Sequence, residues 1–140
     1  MREIKFRGLS STENGGTEMI YGDVSINCNQ NCFYADTHPD RIHGISWSKP
    51  VLKGTVGQFT GLHDKNGKEI YEGDIVKCTD KHDETSTYFV RWSNIRAQFV
   101  YVDNQCADNE WMSQIEMFDH GEEVIGNVYE SPELLKDLKV

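Results

Sequence analysis

Proline is rare in this chain, with three residues in 140, and alanine and leucine together number only nine. No apolar run approaches the roughly 18 residues of a membrane-spanning helix, so a helical span is excluded. The first residues, Arg2-Glu3-Ile4-Lys5-Phe6-Arg7, carry charge where a signal peptide needs an apolar core. The expected location is therefore the cytoplasm. Four cysteines are too few for a disulfide scaffold, and in the cytosol they would stay reduced. Positive charge is missing from Ala97 to Leu135, a stretch that holds nine acids. Phosphate recognition rests on clustered cations that release counterions, so duplex binding by this half is disfavoured. The chain also has no Gly-x-x-x-x-Gly-Lys-Ser/Thr loop, no Gly-x-Ser-x-Gly elbow and no His-Glu-x-x-His helix. No catalytic residue, cofactor or metal ligand is assigned, and the expectation is a protein that is not an enzyme.

What the chain does contain is strand-forming: ten Val, ten Ile, eight Thr and 15 aromatic residues. Twelve Gly supply turns. A length of 140 residues suits one domain or two very small ones, and it buries enough surface to fold without a metal or disulfide staple. The net charge of −9 falls entirely in residues 71–140, where 15 acids face six cations. Net charge of this kind ordinarily serves solubility. The sharper reading of the acidic 97–135 stretch is a face for a basic protein partner.

Hydrophobic alternation marks the strands. Ile4 and Phe6 share a face, and after the loop Ser10–Thr17, with Asn14-Gly15-Gly16 at its tip, Ile20, Gly22, Val24 and Ile26 return. Residues 27–50 are irregular, with a short strand proposed around Ile42, Ile45 and Trp47. A second block runs from Thr55 to Leu62, turns at His63-Asp64-Lys65-Asn66-Gly67, and returns through Lys68–Tyr71. Strands follow at Ile75–Cys78, Tyr88–Trp92, Gln98–Val102 and Val124–Tyr129. Ser131 as N-cap, Pro132 at the first helical position and Glu133 beside it predict a short C-terminal helix with Leu134, Leu135 and Leu138 on one face. The pattern is mainly β: an N-terminal β region over 1–54 and a small barrel or sandwich with a terminal helix over 55–140.

Few residues invite chemistry. Cys28, Cys32, His38 and His43 supply a tetrahedral zinc donor set, but the gap between the Cys pair and the His pair is too short for a standard finger. Incidental Cys and His are the plainer reading. Cys78 and Cys106 read as buried small hydrophobes. His63-Asp64, His82-Asp83 and Asp119-His120 lack the further ligands of a metallophosphohydrolase and read as solvated turn residues. Trp47, Trp92, Trp111 and the six Tyr could stack bases, but without a basic groove they read as core.

Four blocks taken together resemble a known family. They are Arg2-Glu3-Ile4-Lys5-Phe6-Arg7-Gly8, Tyr21-Gly22-Asp23, the run TVGQFTGLHDKNGKEIYEGDIVK from Thr55 to Lys77, and VIGNVYESPELL from Val124 to Leu135. In order and spacing they resemble the YopX family, encoded by bacteriophages and prophages. The resemblance implies a β-rich fold with an SH3-like barrel in the C-terminal part, a bacterial cytosolic setting and a tendency to self-associate. It implies no activity and no functional residue. Most of the central run's Gly, Asp and Asn read as turn chemistry. The functional expectation is a non-enzymatic accessory protein acting through a homo-oligomer or on a basic host or phage protein. The alternative is a nucleic-acid-binding module that uses Arg2, Lys5, Arg7, Arg41, Lys49 and Lys53 of the neutral N-terminal half.

Overall fold

The computed structural model describes residues 3–27, 32–36, 48–79, 82–102, 113–114 and 121–137. They are mainly β. The strands are β1 (Phe6–Ser11), β2 (Thr17–Asn27), β3 (Cys32–Asp36), β4 (Ser48–Val51), β5 (Gly57–His63), β6 (Glu69–Tyr71), β7 (Asp74–Thr79), β8 (Thr85–Ser93), β9 (Gln98–Val102), β10 (Ser113–Gln114) and β11 (Glu122–Asn127). They form two antiparallel sheets, ordered β4-β3-β2-β1-β5-β6 and β10-β9-β8-β7-β11, one of them a half-barrel. The chain divides into two compact units, Met1–Phe59 and Thr60–Val140, with the boundary inside β5.

In the first unit β1 and β2 pair from Phe6↔Gly22 to Ser11↔Thr17. Their turn closes by two short backbone bonds, Gly15 N–H to Thr12 O and Thr12 N–H to Gly16 O. The irregular stretch expected over 27–50 instead holds β3 and β4, which pair in register from Phe33↔Val51 to Asp36↔Ser48. Cross-strand partners, not local alternation, make these strands, so a polar sequence such as Ser48-Lys49-Pro50 can join a sheet. Pro50 donates no N–H and sits on the edge strand, where that loss is tolerated. The short strand proposed around Ile42, Ile45 and Trp47 lies outside the described residues. Beyond β4 the chain returns to β1, where Leu52 N–H donates to Leu9 O (2.7 Å) and Leu9 N–H to the Thr55 hydroxyl (3.0 Å). Ile20 and Val51 are buried there against Val56.

In the second unit, strand pleating places Val76 and Cys78, Val90, Phe99 and Tyr101, and Val124 in one core with Ile70. Ile75 and Val100 occupy alternate positions and are buried as well. Both faces of β9, and of β7 at Ile75-Val76, are therefore covered, so these segments read as apolar runs with no alternation.

The expected terminal helix is a 3₁₀ turn over Pro132–Asp137. Six residues form too few i→i−4 bonds to offset helix nucleation, whereas i→i−3 bonds close sooner. Leu134 N–H donates to Ser131 O (3.0 Å) in that manner. The turn lies close against Gly126, where an added Cβ would come 2.7 Å from Ser131 Oγ and 3.0 Å from Leu134 Cδ1.

Candidate functional site

The long central motif builds scaffold. Asp64, expected as a solvated turn residue, is only 7% exposed. One carboxylate oxygen accepts the N–H groups of Asn66 (2.8 Å) and Lys68 (2.9 Å), and the other accepts Val124 N–H (3.0 Å), 60 residues away. Burial by itself would raise its pKa, but these three bonds and nearby Lys68 outweigh burial and hold it below the usual carboxylate value. Asp74, 1% exposed, accepts Tyr71 N–H at 2.7 Å and fixes the tight turn into β7. Thr60 ties β5 to β6 through its hydroxyl, which donates to Ile70 O (2.8 Å). His63 and the His82-Asp83 pair are exposed, and Asp119-His120 lies outside the described residues.

Glu122 is buried at the register position opposite Cys78, whereas Glu123 is at the surface and pairs with Lys65 (3.1 Å). Burial first, and then the nearby Glu122 carboxylate, push the Cys78 thiol up to about 12 and raise the Tyr101 phenol in the same direction. Burial and the neighbouring carboxylate both disfavour the thiolate of Cys78. Cys78 is a core residue, as its sequence context suggests. Among the described residues no group of three His, Cys, Asp or Glu is arranged to hold a metal ion. Of the zinc-like set only the backbone of Cys32, in β3, is described. Cys28, His38, His43 and Cys106 lie outside the described residues.

Of the cations named for nucleic-acid binding, two have other surroundings. Arg7 is 3% exposed. Lys5 lies 4.8 Å over the Phe59 ring and 3.3 Å from Glu3. Lys53 is exposed. Arg2, Arg41 and the side chain of Lys49 are not described.

The feature that stands out from the scaffold is the tip of the β8–β9 hairpin. Ser93 pairs with Gln98, leaving Asn94-Ile95-Arg96-Ala97 as the loop. The buried Ser93 hydroxyl accepts Arg96 N–H (3.2 Å), and Ala97 closes the loop in the left-handed region at φ 51°. With its strands fixed in this way, the tip holds Ile95 78% exposed. Trp92 is 40% exposed and meets the buried Phe99 edge-on at 5.1 Å. Trp92 thus departs from the core role expected of it. Its face continues that of Val90 and Tyr88 and its register partner Phe99 lies in the core, but Trp92 sits at the loop end of β8 and stays partly exposed. Arg91 and Arg96 are the only cations in the sequence between Lys81 and Lys136. A rigid indole and an arginine are among the groups that yield most binding energy when a partner protein excludes water from them, and the aliphatic tip adds apolar area. The hairpin itself was legible, since strands at Tyr88–Trp92 and Gln98–Val102 leave a loop between them, but the exposure of Ile95 and Trp92 was not.

The comparisons agree with this fold. A family model described as YopX protein matches residues 5–136. The crystal structure of protein EF1440 from Enterococcus faecalis is similar over 96% of this chain and 99% of that one, with a TM-score of 0.53 and 25% sequence identity. No curated protein matches the chain.

Proposed function

The chain belongs to the YopX family, and we propose that it is a non-catalytic binding module that acts through protein contacts made by the β8–β9 tip. One observation carries this reading: Ile95 and Trp92 are exposed at the end of a hairpin whose strands are both paired on each side within a sheet. Full burial of an exposed isoleucine is worth roughly 1.5–3 kcal/mol, and the exposed part of the Trp92 indole adds to the apolar surface left in water. A partner recovers that energy. The partner class is a second copy of the chain or a host or phage protein, in the bacterial cytosol during phage growth or lysogeny. In a homo-oligomer, Arg96 on one copy finds complementary charge in the acid-rich half of the next. The same reading assigns residues 1–54 to an N-terminal β region and 55–140 to an SH3-like barrel.

Light scattering on a size-exclusion column at low and high salt tests it, with wild type beside Trp92→Ala and Ile95→Asp. The expected result is a defined wild-type oligomer that both substitutions dissociate while far-UV circular dichroism is unchanged. An oligomer indifferent to both substitutions would overturn the assignment to the tip. Salt-sensitive binding of oligonucleotides by a monomer would replace it with the nucleic-acid reading.

A further inference from the structure

Asparagine followed by glycine occurs twice in the chain, at Asn14-Gly15 and Asn66-Gly67. The two pairs sit in turns of one design. Gly15 N–H donates to Thr12 O (3.1 Å) and Thr12 N–H to Gly16 O (2.9 Å). Likewise Gly67 N–H donates to Asp64 O (2.9 Å) and Asp64 N–H to Lys68 O (2.7 Å). Gly15 and Gly67 adopt the same left-handed backbone, at φ 79° and 81°. Both asparagines are exposed, and the space beside each glycine is open. What differs is how each turn is held. In the first, the bonds run within Thr12–Gly16, where the Thr12 hydroxyl accepts Gly16 N–H (3.0 Å). In the second, one Asp64 oxygen accepts the N–H groups of Asn66 (2.8 Å) and Lys68 (2.9 Å), on either side of the Asn66-Gly67 peptide. Two further bonds tie that turn to β11: Val124 N–H to the other Asp64 oxygen (3.0 Å), and Lys65 N–H to Glu122 O (2.9 Å).

We propose that Asn14 is a site of spontaneous deamidation, and that the Asp64 clamp on β11 spares Asn66 the same reaction. The Gly15 nitrogen gives up its proton to a base from solvent and bonds to Asn14 Cγ. The Cγ–Nδ2 bond breaks, and ammonia leaves with a proton from water. Water then opens the succinimide ring at either carbonyl, giving aspartate or isoaspartate. In sum, a side-chain amide and water become a carboxylate and ammonium, with no change of oxidation state. A glycine on the C-terminal side has no side chain to hinder the attack. The ring cannot close while the Gly N–H is bonded across the turn, because the nitrogen must shed that proton and swing toward Cγ. The rate therefore follows how often each turn opens. Opening at Asn14 breaks bonds inside a hairpin tip. Opening at Asn66 strips charge-assisted bonds from a buried carboxylate. This goes beyond the binding reading and does not depend on it.

The test is peptide mapping by tandem mass spectrometry, after chymotryptic digestion of the full chain aged in mildly alkaline buffer. The same chain unfolded in guanidinium chloride supplies the intrinsic rate of each site. Asp64→Thr and Thr12→Asp, which exchange the residues that open the two turns, accompany wild type. In folded wild type, Asn66 should be slowed from its unfolded rate about tenfold more than Asn14 is. Asp64→Thr keeps a hydroxyl for the bond within the turn but removes the clamp, so Asn66 should approach the rate of Asn14. Thr12→Asp supplies a carboxylate without the link to β11 and should leave Asn14 labile. Protected Val76 and Val90 amides in hydrogen exchange report that the sheet of Asp64→Thr is folded. Equal slowing of both sites in wild type overturns the proposal. An unchanged Asn66 in folded Asp64→Thr overturns the clamp. So does a Thr12→Asp chain whose Asn14 is as protected as Asn66, because the carboxylate would then act within its own turn. Should Asp64→Thr fail to fold, wild type and Thr12→Asp decide.

Discussion

At the residue scale, the acids of the central motif matter for where their oxygens point. Asp64 and Asp74 are buried among backbone N–H groups, and an ionised carboxylate accepting such bonds is among the stronger hydrogen-bond partners in a fold. Removing an acceptor of this kind leaves buried donors unsatisfied, at about 1–3 kcal/mol each. A pH dependence follows for Asp64, whose folded pKa lies below the unfolded value of 3.8. A lowered carboxylate pKa stabilises the fold above the unfolded pKa, and that stabilisation is lost as pH falls through the folded value. Urea unfolding should therefore show wild type more stable than Asp64→Asn at pH 7, with the gap shrinking once the pH drops below about 3.8. A gap that stays constant down to pH 2 would mean the charge contributes nothing.

At the scale of elements, two short pieces are set by close packing. The 3₁₀ turn over Pro132–Asp137 needs the space above Gly126, so Gly126→Ala should cost about 1–3 kcal/mol through overpacking. Thermal unfolding would read this as a lowered Tm, and an unchanged Tm would show that the turn lifts away freely. Asn127 anchors the same segment, with its side-chain oxygen accepting Tyr129 and Glu130 N–H at 3.0 and 2.9 Å. The β8–β9 hairpin is the opposite case. Ile95 is outside the core, so Ile95→Asp should leave stability within about 0.5 kcal/mol of wild type, as exposed substitutions do. A large destabilisation would show that the tip is covered within the chain.

At the scale of the molecule, charge decides which partners can approach. All of the −9 sits in the second half, and Arg7 and Lys5 in the first half are buried or engaged with Phe59 and Glu3. Fluorescence anisotropy with single- and double-stranded oligonucleotides should show no binding at 150 mM salt. Micromolar affinity falling steeply with salt would contradict that expectation. No helix among the described residues is long and apolar enough to cross a membrane.

Sequence by itself determined the mainly β class, most strand positions and the hairpin at Asn14-Gly15, because alternation and Asn-Gly turns are local signals. The family was legible in the same way, from the run Thr55–Lys77 and its flanking blocks. Strands β3 and β4 were not, since their pairing is made across the sheet. The terminal helix was misjudged because cap signals fix where a turn starts and not how tightly it winds against Gly126. Neither candidate site was visible in the residues. His63-Asp64 looks like any solvated turn until a strand 60 positions later brings Val124 N–H to its carboxylate. Trp92 looks like a core aromatic, yet at the loop end of β8 it meets the buried Phe99 edge-on and stays 40% exposed. Burial and long-range hydrogen bonding are properties of where strands meet, and only the tertiary structure decides where they meet.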